Sequence, residues 1–439
     1  MATQAGLAAA RRLGGPFEHM SAHSLPVAAA VAAPVLAWSA ISHGALLLAG
    51  AGFAVLAYLI AAKPAYTAPA VVAIAPLQAT VRHGETAALA AALLIICVLV
   101  LRLATGSLRP RARQLAAAPL ACALLLSYAA PAAVLVPQTS RYADLAGLLE
   151  GLVLLTLVVC APPAERMLAS LIGISGAVLS IYALFVGDRA SGRLEGLGLN
   201  PNYLGLLVAV PLVVSLGLAR ASRSRLWAVP AAFCFAALAA TQSRGAFVAA
   251  AAGVTVLVVS GRTAQMKAGF AAAALLAAAL LPGSLSTLEN SGGGERAPAE
   301  LAYDDGVRTH VASFALDVAF SHPLRGIGYD MFAPYAADSP EVGIYINTHD
   351  DYLRLAAETG VPGLALMLVL LVPAFRVQRT PSASTLRAGV LAYAAGLLFT
   401  NTLANLAVSA PFWAALGVLH ASTVPERAVT SPLQPPEPR

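Results

Sequence analysis

The chain has 439 residues, of which 59% are hydrophobic and only 11% are charged, and its formal net charge is +6. Soluble globular domains carry about 25% charged residues, so this composition excludes an ordinary soluble enzyme. Apolar runs recur along most of the sequence, and about 20 apolar residues cross a bilayer as a helix. We predict an all-α polytopic membrane protein of about 12–14 transmembrane helices, surrounded by membrane lipids and without a nucleic-acid partner.

The predicted membrane segments follow an N-terminal tail over residues 1–25. In chain order they cover 26–42, 44–62, 86–104, 115–136, 143–161, 167–186, 201–218, 227–242, 245–260, 268–282, 361–375, 387–403 and 406–421. This pattern divides the chain into transmembrane helices over 26–282, one large loop with short helices over 283–360, and C-terminal transmembrane helices over 361–421. The Pro-rich tail over 422–439 is expected to be disordered.

Basic residues in short loops give the orientation, because cytoplasmic loops are enriched in Lys and Arg. Four such loops fall on one side: Arg109, Arg111 and Arg113; Arg220, Arg223 and Arg225; Arg262 and Lys267; Arg376, Arg379 and Arg387. The opposite side receives 187–200, 243–245 and the large loop, which holds 12 acidic against 4 basic residues. We therefore expect the large loop on the outer face of the membrane.

The first polar cluster on the outer side is SGRLEGLGLNPNYLG, residues 191–205. Asn200 can cap the following helix and Pro201 suits its first turn. Arg193 is open to two interpretations, as a functional cation or as an interfacial arginine that pairs with lipid phosphate.

The second cluster is TQSRGAF, residues 241–247, where Arg244 interrupts an apolar stretch. A charge close to hydrocarbon usually faces a partner or a water-filled cavity. The alternative is an arginine that reaches the interface from a tight helical hairpin with Gly245 in its turn.

The third cluster covers residues 304–332 and predicts an amphipathic interfacial helix over Val307–Phe320. The helix begins near Arg308, and His322-Pro323 end it. Its apolar positions at helical spacing are Val311, Phe314, Ala315 and Val318. Arg308 is either functional or an ordinary solvated surface arginine.

The fourth cluster is NTHDDYLRLAAETGVPG, residues 347–363. Thr348 and Asp351 are spaced like a capping box, and Gly360 with Pro362 predicts the helix end. Asp350 and Arg354 form a predicted i,i+4 pair. His349 has no such structural explanation, and we predict it at the helix start on one face with Tyr352, Leu353 and Ala356. The alternative is a purely structural histidine.

These four clusters together indicate phosphate chemistry without a metal. His310, His322 and His349 lack the spacing of a metal site, so we expect neither a metal nor a cofactor. Arginine binds diphosphate oxygens through two N–H groups at once, and a neutral histidine can accept a proton from an attacking hydroxyl. Such a set suits displacement of a lipid diphosphate by a sugar hydroxyl.

In this order, the clusters resemble the O-antigen ligase and O-antigen polymerase family of bacterial membrane glycosyltransferases. The matching pieces are R-x-x-G with NPN (Arg193, Gly196, Asn200 to Asn202), SRGA (Ser243 to Ala246), Arg308 with HPLRGIGYDMF (His322 to Phe332), and HDDYLRLAAETGVPG (His349 to Gly363). The stretch reads HDD where many members carry HN or HS plus an aromatic residue.

The resemblance implies an inner (cytoplasmic) membrane protein whose active site faces the periplasm. The donor would be a glycan linked to undecaprenyl diphosphate. The acceptor would be lipid A-core for a ligase, or a growing glycan for an O-antigen or exopolysaccharide polymerase. By position, His349 would be the catalytic base, and Arg193, Arg244 and Arg308 would bind the diphosphate.

We also expect Asn202, Asp350 and Glu358 to support this site. Two other classes stay open. A transporter or flippase for lipid-linked or anionic solutes would place ionisable groups at mid-membrane, and only Glu150 lies clearly inside a predicted segment. A transferase using polyprenyl-phosphate sugars would need an early outer-loop carboxylate, where the predicted loop 63–85 offers only Glu85.

Overall fold

The computed structural model describes residue 58 and residues 62–80, 84–106, 141–190, 192–260 and 298–422. All of these except residue 58 belong to one compact unit over 59–439. The predicted segments 26–42, 115–136 and 268–282 lie outside the described residues, as do nearly all of 44–62, the N-terminal tail and residues 423–439.

The described residues form twelve α-helices and one small β-hairpin. The helices are α1 (Pro64–Ile74), α2 (Gly84–Ala104), α3 (Arg141–Cys160), α4 (Glu165–Val186), α5 (Pro201–Ser222), α6 (Ala228–Thr241), α7 (Arg244–Val259), α8 (Pro298–Ser321), α9 (Phe332–Asp338), α10 (Asp351–Phe375), α11 (Pro381–Gly396) and α12 (Leu406–Ser422). Short 3-10 helices cover Ala75–Thr80 and Arg225–Trp227. Strands β1 (Arg189–Ala190) and β2 (Arg193–Leu194) pair antiparallel between α4 and α5.

The membrane helices share one apolar core around α5, which packs against α4, α6, α7 and α11. Small residues allow these helices to approach closely, as is common where lipid gives no hydrophobic drive. A Cβ at Gly253 of α7, for example, would lie 2.8 Å from both Val213 of α5 and Ala392 of α11. Helices α4, α5 and α10 are long and apolar enough to cross a membrane, and several shorter helices are also apolar. The prediction of an all-α membrane protein is therefore confirmed, while the total of 12–14 spans remains a prediction.

A second, smaller core lies within the large loop. Its buried members are Val311, Phe314, Ala315 and Val318 of α8, Phe332 and Ala336 of α9, and Ala357 of α10. The rings of Phe314 and Phe332 meet edge to face with centroids 5.9 Å apart. The predicted apolar stripe of α8 is thus confirmed, and it attaches α8 and α9 to the start of α10.

Predicted bounds are wrong for three helices, α1, α8 and α11. Residues 64–74 were predicted as a loop but form α1. Pro64 and Pro69 interrupt the apolar run in the sequence, yet Pro64 lies in the first helical turn, where proline is tolerated, and the helix continues through Pro69. Helix α8 begins at Pro298 rather than at residue 307. Helix α11 covers Pro381–Gly396 rather than 387–403. Pro381 suits a first helical turn, and Thr400, Asn401 and Thr402 have low helix propensity.

Helix α10 is broken at Gly360, which has φ 73° and ψ −178°. The predicted helix end is therefore confirmed, although a second helical stretch follows directly. The loop before α9, residues 322–331, packs against this break and forms hydrogen bonds with the backbone groups that the break exposes. Ile327 N–H donates to Ala357 O at 3.0 Å, and Val361 N–H donates to Pro323 O at 2.8 Å.

Candidate functional site

The first two polar clusters meet in one hydrogen-bonded group around Asn202. Arg193 on β2 donates from Nη2 to Asn202 Oδ1 at 2.9 Å and from Nε to Thr241 O at 3.0 Å. The hydroxyl of Ser243 donates to the same Asn202 oxygen at 3.2 Å. Arg193 therefore joins the hairpin, the start of α5 and the turn between α6 and α7.

Capping residues set the starts of both helices at this group. Asn200 Oδ1 accepts from the N–H groups of Asn202 and Tyr203, both at 3.0 Å, so the predicted cap of α5 is confirmed. Ser243 caps α7 by accepting from Ala246 N–H. Arg244 is consequently the first residue of α7, and its side chain is exposed.

His349 lies two residues before α10 and in the left-handed region, with φ 56°. The cap of α10 is Asp350, whose Oδ1 accepts from Tyr352 N–H at 2.8 Å and from Leu353 N–H at 3.0 Å. Both the predicted capping box at Thr348 and the predicted place of His349 on a helix face are therefore wrong. The reason is that Thr and Asp are both capping residues, and the aspartate is the one used.

Thr348 instead closes a tight turn that contains His349. Its hydroxyl donates to Asp350 O at 2.6 Å and accepts from Asp350 N–H at 3.2 Å. Burial raises the pKa of the Asp350 carboxyl above its usual range, and the two capped N–H groups offset part of that rise. The half-buried His349 is thus held on a short, hydrogen-bonded turn rather than on a regular element.

The segment between α11 and α12, residues 397–405, joins three of the four clusters; we call it the connecting segment. Asp351 donates from its backbone N–H to Leu397 O at 2.9 Å and accepts from Leu403 N–H at 2.8 Å. Tyr203 donates its hydroxyl to Asn401 O at 2.8 Å. A Cβ at Gly245 would lie only 2.5 Å from Phe399 Cβ.

The starts of α5, α7 and α10 therefore meet at the connecting segment, since Tyr203, Gly245 and Asp351 lie in their first turns. A helix N-terminus carries a partial positive charge of about half a unit and N–H groups that suit an anion. Arg193 and Arg244 add full positive charges beside two of these starts. The arrangement is suited to an anionic group such as a diphosphate.

The third and fourth clusters are joined by a buried ionic group. Arg354 donates to Asp330 Oδ1 at 2.8 Å and to Glu358 Oε2 at 3.2 Å, and its side chain is only 4% exposed. Glu358, fully buried, also accepts from Phe332 N–H at 3.0 Å. Arg354 therefore pairs with Asp330 and Glu358, while the i,i+4 pair of Asp350 and Arg354 stays a prediction.

Arg308 lies on α8, three residues before Val311 and seven before Ala315. Since these spacings place all three on one face of the helix, Arg308 continues the stripe that packs against α9 and α10. Its side chain is half-buried and makes no hydrogen bond to another residue in the described part of the chain.

Of the predicted site residues, Arg193 and Asn202 are in direct contact, while Arg244 and His349 are brought near the same connecting segment by their neighbours. Asp350 and Glu358 hold the backbone at the start of α10 and at the start of α9. Sequence reasoning missed Arg354 and the connecting segment. The available signals were the i,i+4 spacing of Arg354 and Glu358, and the Thr-Asn-Thr run at 400–402 within an apolar stretch.

The fold and this arrangement define an all-α membrane protein with a polar, cationic region at the ends of several helices. Residues 229–368 match the family model described as O-Antigen ligase, and this match supports the assignment of the chain to an O-antigen ligase family. The matched region contains Arg244, Arg308, the buried ionic group and His349. No curated protein matches the chain.

Proposed function

We propose that the protein is a membrane glycosyltransferase that moves a glycan from undecaprenyl diphosphate to a sugar hydroxyl of an acceptor on the periplasmic face. Lipid A-core is the acceptor that fits an O-antigen ligase. The observation that carries the proposal is the meeting of three helix starts at the connecting segment, with Arg193 and Arg244 beside them and His349 two residues from one of them.

The chemistry follows from the charges of these groups. The acceptor oxygen forms a bond to the anomeric carbon while the bond from that carbon to the diphosphate oxygen breaks. The imidazole of His349 accepts the hydroxyl proton, and the diphosphate leaves with the bonding electron pair. Arg193, Arg244 and Arg308 stabilise the negative charge that grows on the leaving group. A single direct attack inverts the configuration at the anomeric carbon.

The variant that tests the general base must tolerate the left-handed backbone conformation of His349. His349→Asn removes the imidazole, and asparagine tolerates a positive φ better than most residues. We expect glycan transfer by the purified protein to fall by about 10²-fold or more, since a general base contributes 10² to 10⁴. The melting temperature is expected to stay within a few degrees of the wild type.

His310→Asn is the matched control. His310 is exposed on α8, and its ring contacts Glu341 O at 3.0 Å, so its loss is expected to leave transfer near the wild-type rate. If His349→Asn transfers glycan as fast as His310→Asn, the general-base role is refuted.

A repeat-unit polymerase of O-antigen or exopolysaccharide is the second candidate, because the same site would serve a growing glycan acceptor. Product length distinguishes the two in the same assay. One addition per acceptor identifies a ligase, whereas products that lengthen with time identify a polymerase.

A further inference from the structure

A basic cavity lies at the end of the helix bundle opposite the candidate site. Helices α5 and α7 both begin at the connecting segment and end at this cavity. The 22 residues of α5 span about 33 Å at 1.5 Å per residue, roughly the hydrocarbon thickness of a bilayer. The cavity has a volume of about 1060 Å³ and includes the turn between α10 and α11 in its wall.

Four arginines line the cavity: Arg220, Arg223, Arg379 and Arg387. Two of them also form hydrogen bonds within the protein. Arg220 donates to Leu257 O near the end of α7, and Arg387 donates to Ala374 O near the end of α10. Each guanidinium has five N–H donors, so most of the donors remain for another acceptor. Arg223 and Arg379 are exposed and make no hydrogen bond to another described residue.

Carboxylates balance only part of the positive charge around the cavity. None of its described lining residues is acidic. The nearby Glu165 accepts hydrogen bonds from the hydroxyls of Thr380 and Ser422. The start of α11, capped by Thr380, also lies in the wall and adds its positive end. Four guanidinium groups with one helix start favour an anion with several oxygens.

The same cavity offers apolar surface beside the arginines. Val259 is 67% exposed and Val377 is 88% exposed, and both line it. Basic pockets between transmembrane helices bind the head groups of anionic lipids. We propose that this cavity binds the phosphate group of an anionic phospholipid, with an acyl chain along the exposed valines.

The test uses the full chain in two arms. In the first arm, nanodiscs of phosphatidylcholine with increasing phosphatidylglycerol or cardiolipin are used, and lipid that remains bound is counted by native mass spectrometry. In the second arm, inorganic phosphate or diphosphate is added to the protein in neutral detergent, and the melting temperature is recorded. The test variant is Arg223→Gln with Arg379→Gln, and the matched control is Arg189→Gln with Arg325→Gln, two exposed arginines away from the cavity.

Preferential retention of anionic lipid by wild type and control, weakened about tenfold in the test variant, supports the phospholipid. A melting-temperature rise with free phosphate that only the test variant loses, without any lipid preference, supports the phosphate site but assigns it to a soluble ligand. Equal behaviour of wild type, control and test variant in both arms overturns the proposal. Circular dichroism confirms that both double variants are folded.

Discussion

The carboxylate of Asp351 holds the backbone of Leu403, with Oδ2 accepting from the Leu403 N–H at 2.8 Å. The N–H of Asp351 in turn donates to Leu397 O at 2.9 Å. One residue therefore holds the connecting segment against the start of α10 at two points, Leu397 and Leu403. Because His349 lies two residues earlier, this contact also restrains the His349 backbone relative to the connecting segment.

Asp351→Ala is expected to lower both stability and transfer activity. The substitution leaves the buried Leu403 N–H without its acceptor, which costs about 1–3 kcal/mol. Thermal unfolding in detergent measures the loss. Asp317→Ala, an exposed acidic residue on α8, is the control and should unfold at the wild-type temperature. Equal melting temperatures for the two variants would contradict the role of Asp351.

Arg354→Met is expected to destabilise the protein more strongly, by about 3–5 kcal/mol, because it leaves the buried Glu358 and the partly buried Asp330 without their cation. Glu358→Gln alone keeps an oxygen for the Phe332 N–H but loses the charge. We expect the double variant to lose less stability than the sum of the single variants. Additive losses in unfolding measurements would show that the ion pair is not coupled.

Arg193→Lys tests the group around Asn202. A lysine carries its donors on one nitrogen and cannot reproduce the fork that reaches both Asn202 Oδ1 and Thr241 O. Loss of one charge-assisted bond weakens the site by about 10- to 100-fold, and we expect this loss as a higher KM for the diphosphate-linked donor. Initial rates at varied donor concentration measure it.

Arg189→Lys is the control for that measurement. Arg189 lies on the paired strand of the same hairpin, is exposed, and faces Leu194 across the two strands. Its replacement should leave the KM for the donor unchanged. A donor KM that rises equally in both variants would mean that the effect does not depend on the contact of Arg193 with Asn202.

Local features of the fold were predictable because they depend on residues close in sequence. The cap at Asn200, the break at Gly360 and the buried stripe on α8 each follow from neighbouring residues alone. Where two residues compete locally, as Thr348 and Asp350 do for one cap, the pattern does not decide, and the predicted place of His349 shifts with it.

Contacts between distant residues were not predictable from the pattern. The bond from Leu403 to Asp351 spans 52 residues, and that from Arg354 to Asp330 spans 24. The sequence alone does not show which backbone group or charged side chain a carboxylate or a guanidinium will contact. The connecting segment was also not predicted. Its first apolar residues continue the apolar pattern of α11, and its three polar residues, Thr400, Asn401 and Thr402, resemble the end of a membrane segment.

The break in α10 gives the last prediction. Gly360 has φ 73°, and a Cβ there would lie 2.7 Å from Pro323 O, so Gly360→Ala combines backbone strain with a clash against the docked loop. We expect a clear loss of stability, by about 1–3 kcal/mol, and weaker docking of the loop before α9. Hydrogen exchange at the Ile327 and Gly328 amides should increase, since both donate to α10 carbonyls just before the break.

Gly306→Ala is the matched control, because Gly306 lies within α8 and a Cβ there meets nothing within 4 Å. Alanine is a better helix former than glycine, so this variant should be as stable as the wild type or more stable by up to about 1 kcal/mol. Glycine-to-alanine substitution is thus expected to lower the stability at Gly360 and to preserve or raise it at Gly306. A Gly360→Ala protein that melts at or above the temperature of Gly306→Ala would show that the loop does not depend on the break at Gly360.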